Sequence, residues 1–299
     1  MDLISQLRYQ AQRDADADAD ADADAAAAPA PSPDPLPRFR LDGKVGVITG
    51  GAGGIGRQVA LELAAVGATV VLVDRDGADL DGAAAGVRGA CPDATVATAT
   101  VDIADKAQVD ALAAQVVADH GAIDVWVNSH GVLRYQPFVE IDEEHFDTVV
   151  GVNLRGVLWG TAAAGRQMAE QGSGSIVNIA SAGGDMPSPN IAVYGLTKAA
   201  VMHLTKTAAV ELGPSGVRVN AVAPGFIDTP MVSIHWTDSA GNVDPEARKH
   251  MLGVRAAQSP MNVTGEPRDI ADCVLYLASD AARFVTGQVM RPNGGVVMP

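Results

Sequence analysis

The sequence predicts an α/β fold of the doubly wound kind, a single domain built on one parallel sheet of seven strands. Three observations carry this. Short β-branched runs recur along the chain, each of a length and apolarity that suits a strand covered on both faces. Stretches with helical periodicity follow most of them. The first run, KVGVIT (Lys44–Thr49), leads into GGAGGIG and then into RQVALELAAVG (Arg57–Gly67), so a strand, a glycine loop and a helix stand in that order.

The chain before this point has a different character. Residues 1–37 contain an Asp-Ala repeat followed by a Pro-rich stretch, with eight Asp against two Arg, a net charge of −6 out of −15 for the whole chain. Low complexity and little apolar variety predict a disordered acidic tail, with at most a short helix over Met1–Arg13 and a folded domain over 38–299. After Arg57–Gly67 comes TVVLVD (Thr69–Asp74), a second strand, and Thr95–Val101 is the third, with no helix assigned between them. Lys106–His120 is a helix, Ile123–Val127 a strand ending at Asn128, and Glu143–Gln171 one long helix carrying Asn153. Ser175–Ala180 is a strand leading to Ser181, and Asn190–Leu212 a helix bearing Tyr194 and Lys198. Val217–Val222 is a strand, a helix starts near Pro267, and Gln288–Arg291 is the last strand, for a spatial order of 3-2-1-4-5-6-7. Phe226–Val263 breaks the alternation. It follows the carboxyl end of a strand, where open α/β sheets bind ligands, and is expected to be a lid.

Gly50, Gly54 and Gly56 form the pattern TGxxxGxG between a strand and a helix. Glycines there permit a tight turn and let backbone amides approach a pyrophosphate at the helix N-terminus. Asp74 ends the second strand, 18 residues after Gly56, where a carboxylate can accept both adenosine ribose hydroxyls and repel a 2′-phosphate. The expected cofactor is therefore NAD rather than NADP, with the neighbouring Arg75 the one residue that would tolerate a phosphate. Farther along, Tyr194 and Lys198 stand at i and i+4 and share a helix face. A cation beside a phenol favours phenolate and lowers the Tyr pKa, which suits general acid/base work. Ser181 offers a hydroxyl to the same substrate oxygen.

Composition narrows the class. An acidic body argues against nucleic-acid binding. Cys91 and Cys273 are far apart and in no CxxC pattern, which fits unpaired thiols in a reducing cytoplasm. The six His show no paired ligand spacing, so no metal site is expected. No apolar run approaches bilayer length and no signal-peptide core stands at the N-terminus, so a cytoplasmic protein is expected.

With these motifs in hand, the chain from about Phe39 to Pro299 resembles the short-chain dehydrogenase/reductases. The matching residues are TGGAGGIG (49–56), Asp102, Asn128 with Gly131, Asn153, Ser181, YGLTK (194–198), Pro224–Gly225 and Thr229, with Ser181 lying 13 residues before Tyr194. The resemblance implies a Rossmann-type domain in which Tyr194 is the acid/base. It implies that Lys198 holds the nicotinamide ribose and lowers the Tyr194 pKa, that Ser181 binds the substrate oxygen, and that Asn153 anchors a proton-relay water. It further implies cofactor contacts from Gly50, Gly54, Ile55, Gly56, Asp74, Asp102, Ile103, Asn128, Gly131, Tyr194, Lys198, Pro224, Gly225, Ile227 and Thr229. Relatives of this kind are dimers or tetramers, here through the helices bearing Asn153 and Tyr194.

Two departures stand out. The usual NNAG is NSHG (Asn128–Gly131), so His130 replaces a small residue, and the C-terminal DGG is Asn293–Gly295. The implied activity is NAD-dependent interconversion of a secondary alcohol and a ketone. Met186, Met231, Trp236, Met251 and Met261 are expected to border a hydrophobic substrate such as a steroid, terpenoid or alicyclic alcohol. The alternatives are an NADPH-dependent ketoacyl-thioester or carbonyl reductase, which Asp74 opposes, and a non-catalytic dinucleotide sensor, which the Asn153/Ser181/Tyr194/Lys198 set opposes.

Overall fold

The computed structural model describes residues 34–75, 77–238 and 241–299. The expected tail lies outside them through residue 33. The unit that carries the sheet runs from Leu36 to Pro299 and opens with a 3₁₀ turn at Leu36–Phe39.

The strands are β1 (Val45–Thr49), β2 (Thr69–Asp74), β3 (Val96–Thr100), β4 (Val125–Asn128), β5 (Gly174–Ile179), β6 (Val217–Val222) and β7 (Val289–Met290). They form one sheet in the order β3-β2-β1-β4-β5-β6-β7, with every neighbouring pair parallel. The helices are α1 (Gly54–Ala65), α2 (Leu80–Ala90), α3 (Lys106–His120), α4 (Glu143–Val150), α5 (Val157–Gln171), α6 (Ala192–Leu212), α7 (Pro245–Ala257) and α8 (Pro267–Ala278). Val59, Leu63, Leu80, Val87, Ile270, Val274 and Leu277 cover one sheet face from α1, α2 and α8. Val109, Leu112, Val116, Ala163, Met168 and Ala209 cover the other from α3, α5 and α6. Both faces are dry, which is why the central strands read as continuous apolar runs.

Three elements differ from expectation. Helix α2 was not foreseen, because its sequence LDGAAAGVRGA carries three glycines and only two large apolar residues. Its start is fixed by Asp79, whose carboxylate accepts from the Gly82 amide at 2.9 Å. The long helix is not continuous: Gly151–Gly156 is a π-helical turn between α4 and α5, and Asn153 lies inside it. The segment Phe226–Val263 is largely helical among its described residues, with a 3₁₀ turn at Pro230–His235 and then α7, capped by Asp244 and tied to the segment's base by an Arg248–Asp228 ion pair.

The strand order reverses between β1 and β4, which opens a crevice at their carboxyl ends. Gly50 leaves β1 there in the left-handed region, at φ +69°.

Candidate active site

The glycine loop is built by backbone contact. A Cβ on Gly56 would lie 2.1 Å from the Gly50 carbonyl oxygen, and one on Gly50 would lie 2.7 Å from the His130 Cα. No side chain fits either place. Gly53 caps α1 without a side-chain bond, so the first-turn amides face a cleft with no protein group claiming them. That cleft, about 380 Å³, is lined by Gly50, Gly54, Ile55, Gly56, Asp74, Arg75, Asp102, Ile103, Gly131 and Thr229. Asp74 accepts from the Ala52 amide at 3.1 Å and the Arg75 amide at 2.8 Å, which fixes the loop and leaves lone pairs for ribose hydroxyls. An uncapped helix start, a loop no Cβ could enter and a carboxylate at the end of β2 fit a dinucleotide.

Asn128 does not line this cleft. Its side chain is fully buried, accepts from Trp126 Nε1 at 2.8 Å, and donates to Asn178 Oδ1 at 2.8 Å and Thr161 Oγ1 at 3.2 Å. Both its amide hydrogens and one lone pair of Oδ1 brace β4 against β5 and α5, so in this structure the Asn128 side chain holds the sheet together beside the cleft.

Ser181 and Tyr194 meet through close backbone packing. The 3₁₀ turn Ala182–Gly184 after β5 lies directly on α6: a Cβ on Gly184 would be 2.7 Å from the Ala199 nitrogen, and one on Gly195 2.8 Å from the Gly183 carbonyl. Ser181 Oγ accepts from the Gly183 amide at 3.1 Å. Gly183 then faces both partners, with Ser181 Oγ at 3.5 Å and the Tyr194 ring at 3.6 Å from its would-be Cβ. Gly131 marks the other side, with Asn153 Oδ1 at 3.5 Å, Lys198 Nζ at 3.7 Å and Met231 at 3.8 Å from the same construction. Gly183, Gly184 and Gly195 carried no chemical signal in the sequence, yet they set the spacing.

Lys198 is 3% exposed and donates to the Ile179 carbonyl at 2.8 Å. Burial pushes its pKa down to about 8. Its ammonium stands 5.6 Å from the Tyr194 ring centre. The Tyr194 pKa is nevertheless raised, because burial dominates, with the Ser181 hydroxyl opposing and Tyr135 adding to the rise. The expectation of a lowered phenol pKa is therefore corrected for this state: desolvation outweighs the hydrogen bond that opposes it. Asn153 uses its amide on one residue, accepting from the Val132 amide at 2.8 Å and donating to the Val132 carbonyl at 2.9 Å. It thereby pins the loop after β4 to the π-helical turn.

His130 is buried, and its Nδ1 lies 2.7 Å from Thr49 Oγ1. Burial pushes its pKa down to about 3, with Lys198 adding to the fall and the Val152 carbonyl opposing it. It is a neutral wedge between β1 and the π-helical turn. Gly156 has no Cβ because one would sit 2.8 Å from His130 Nε2 and 2.9 Å from Ile103. Gly156→Ala is expected to cost about 1–3 kcal/mol of stability. The double variant with His130→Ala is expected to lose less than the sum of the two singles, as denaturant titration of all four proteins would read.

The substrate-side cavity is about 320 Å³ and is lined by Ser181, Tyr194, Lys198, Tyr135, Met186, Pro224, Gly225, Ile227, Thr229, Met231, Arg255 and Gln258 among others. Of the five residues expected to border substrate, Met186 and Met231 line this cavity. Met261 lines an adjoining cavity. Trp236 and Met251 are in neither, Trp236 being buried in the packing of its own segment. Pro224 contributes through its carbonyl, which accepts from the Ala182 amide at 2.8 Å and anchors the Ser181 loop. Among the described residues no cluster of His, Cys, Asp and Glu is arranged to hold a metal ion, and no helix is long and apolar enough to cross a membrane.

Comparison with known proteins points one way. Residues 50–297 match a family model described as enoyl-(acyl carrier protein) reductase. The chain is 39% identical to levodione reductase of Leifsonia aquatica over 87% of its own length and 96% of that protein's. It is 38% identical to 3-oxoacyl-(acyl-carrier-protein) reductase of Thermotoga maritima over 87% of its own length and all of that protein's. A short-chain type dehydrogenase/reductase from Mycobacterium marinum superposes with a TM-score of 0.79 at 33% identity, over 88% of this chain and 99% of that one.

Proposed function

The chain belongs to the short-chain dehydrogenase/reductase family of oxidoreductases, and within it we propose an NAD-dependent enzyme that interconverts a secondary alcohol and a ketone. The observation that carries this reading is the convergence of Ser181, Tyr194 and Lys198 in a cavity that shares Ile55, Gly131, Thr229 and Met231 with the dinucleotide cleft. NAD, when bound, supplies the hydride chemistry. Gly50, Gly54 and Gly56 give it backbone amides, and Asp74 gives it a ribose acceptor.

Tyr194 moves the proton at the substrate oxygen, as base in oxidation and as acid in reduction. The Ser181 hydroxyl donates to that oxygen and steadies its charge. The Lys198 ammonium supports the phenolate that burial disfavours. Asn153 keeps the loop after β4 in place. Leu133, Ile179, Met186, Met231 and Val232 offer an apolar wall that supports an aliphatic or alicyclic body for the substrate.

The test is a screen of secondary alcohols with NAD and with NADP, following the reduced nicotinamide. Asp74→Ala is expected to lower kcat/KM for NAD by about 10- to 100-fold relative to NADP, since it removes hydrogen bonds from a charged acceptor. Equal use of both cofactors by the wild type would remove Asp74 as the selector.

A further inference from the structure

The cavity has a second polar end. Arg255 lies on α7 and lines both the substrate cavity and the adjoining one. Its guanidinium stacks 5.2 Å from the Phe226 ring centre and reaches Gln258 Oε1 at 3.3 Å. Its Nε is buried with no hydrogen-bond partner. Among the described residues Arg255 forms no ion pair, although nine other Lys and Arg side chains do. No Asp or Glu lines the substrate cavity, in a chain whose net charge is −15. The one carboxylate in the adjoining cavity, Asp269, is committed to capping α8, where it accepts from the Glu266 amide at 2.7 Å.

A buried donor without an acceptor is costly unless something else meets it. An arginine presents a planar fork that suits a carboxylate. Tyr135, on the wall of the same cavity, is bonded to His235 Nε2 at 2.8 Å. The charge of Arg255 acts on both of these side chains. Arg255 thus borders the space next to the reacting end and leaves that end free for Ser181 and Tyr194.

We propose that Arg255 is a specificity-determining residue that receives a carboxylate, so that the substrate is a hydroxy acid or oxo acid with an apolar body between its carboxylate and its reacting carbon. This rests on the oxidoreductase reading above and narrows its substrate class. It also explains why a cavity with apolar walls keeps an unpaired cation.

The test uses matched probes: straight-chain 3-, 4- and 5-oxo acids, each beside its methyl ester, with NADH and the full-length protein. The wild type is expected to prefer at least one acid over its ester by about 10- to 100-fold in kcat/KM, mostly in KM. Arg255→Met is expected to abolish that preference while changing ester turnover less than about 3-fold, and Arg255→Lys to retain part of it. No preference in the wild type, or equal losses on acid and ester, would overturn the proposal, as would better turnover of neutral oxoacyl thioesters that is indifferent to Arg255.

Calorimetric titration of the same oxo acids into the NAD-loaded protein separates the two levels. Arg255-dependent binding without turnover would sink the oxidoreductase reading and keep the carboxylate site. Turnover of esters and neutral ketones with no Arg255-dependent binding would do the reverse. An Arg255→Lys variant that folds like wild type but binds acid and ester alike would also count against the site.

Discussion

Replacing Tyr194 by Phe is expected to lower kcat by about 10²–10⁴-fold and to leave cofactor affinity and fold intact. The substitution deletes one oxygen. The ring remains against Gly183, and nothing in the described hydrogen bonding of the glycine loop passes through the Tyr194 hydroxyl. The pH dependence carries the sign. Oxidation needs the phenolate, so its rate climbs as pH rises toward the Tyr194 pKa; reduction needs the phenol, so its rate falls over the same limb. Burial holds that pKa above the ordinary phenol value of 10.0 when the site is as described, and the Ser181 hydroxyl works against the rise. Steady-state rates across pH 6 to 10 for both proteins, with a fluorescence titration of NAD, read all three quantities. Activity within about tenfold of wild type, with the alkaline limb intact, would move the acid/base role to another residue.

Lys198→Met is expected to stabilise the protein and inactivate it. Lys198 is buried and has a carbonyl, not a carboxylate, as its bonding partner. Its pKa falls from 10.5 to about 8. The folded protein therefore surrenders this proton more readily than the unfolded chain does. Below about pH 8 the full penalty of the buried charge stands, on the order of 3 kcal/mol. Between about 8 and 10.5 the unfolded chain holds more protons, so wild-type stability from this group rises with pH. Met is of similar length and carries no charge, so the variant is expected to be more stable than wild type near pH 7. The gain is up to about 3 kcal/mol less about 1 for the orphaned Ile179 carbonyl, and it shrinks as pH climbs through that window. Turnover is expected to drop by about 10²-fold or more. Urea unfolding at pH 7 and pH 9.5, with kcat measured alongside, checks both. A variant less stable than wild type at pH 7 would show that the ammonium is better solvated than its burial implies.

Much of the fold was legible because it rests on local signals. VGVIT and TVVLVD are rich in β-branched residues, and glycines punctuate the first turn. What the sequence concealed depends on contacts far along the chain. Helix α2 is held by packing of Leu80, Ala83 and Val87 on the sheet more than by propensity. Gly183, Gly184 and Gly195 read as ordinary loop and helix residues until the 3₁₀ turn is laid on α6. Arg255 drew no notice in the sequence, and only the fold of residues 226–263 brings it to the cavity. The residue types of the site were visible; the dielectric around them was not. That is why the cation beside Tyr194 could be read from a spacing of four, while the desolvation that raises the phenol pKa could not.

The Ser181 loop is also tied to the far end of the sheet. Asp185, just after the 3₁₀ turn, takes a two-pronged bond from Arg291 at 2.8 and 3.1 Å, across 106 positions of sequence and beside β7. Strand β7 is only two residues long, and the Arg291–Asp185 pair adds to its few ladder bonds with β6. During synthesis, β1 through β6 and every helix of the sheet can emerge before Arg291 does. Every residue that lines the nucleotide crevice likewise precedes Arg291 in the chain. The brace on the serine loop therefore couples the catalytic edge to the last strand of the sheet, so a substitution at Arg291 acts on the serine loop without touching any residue that lines the crevice.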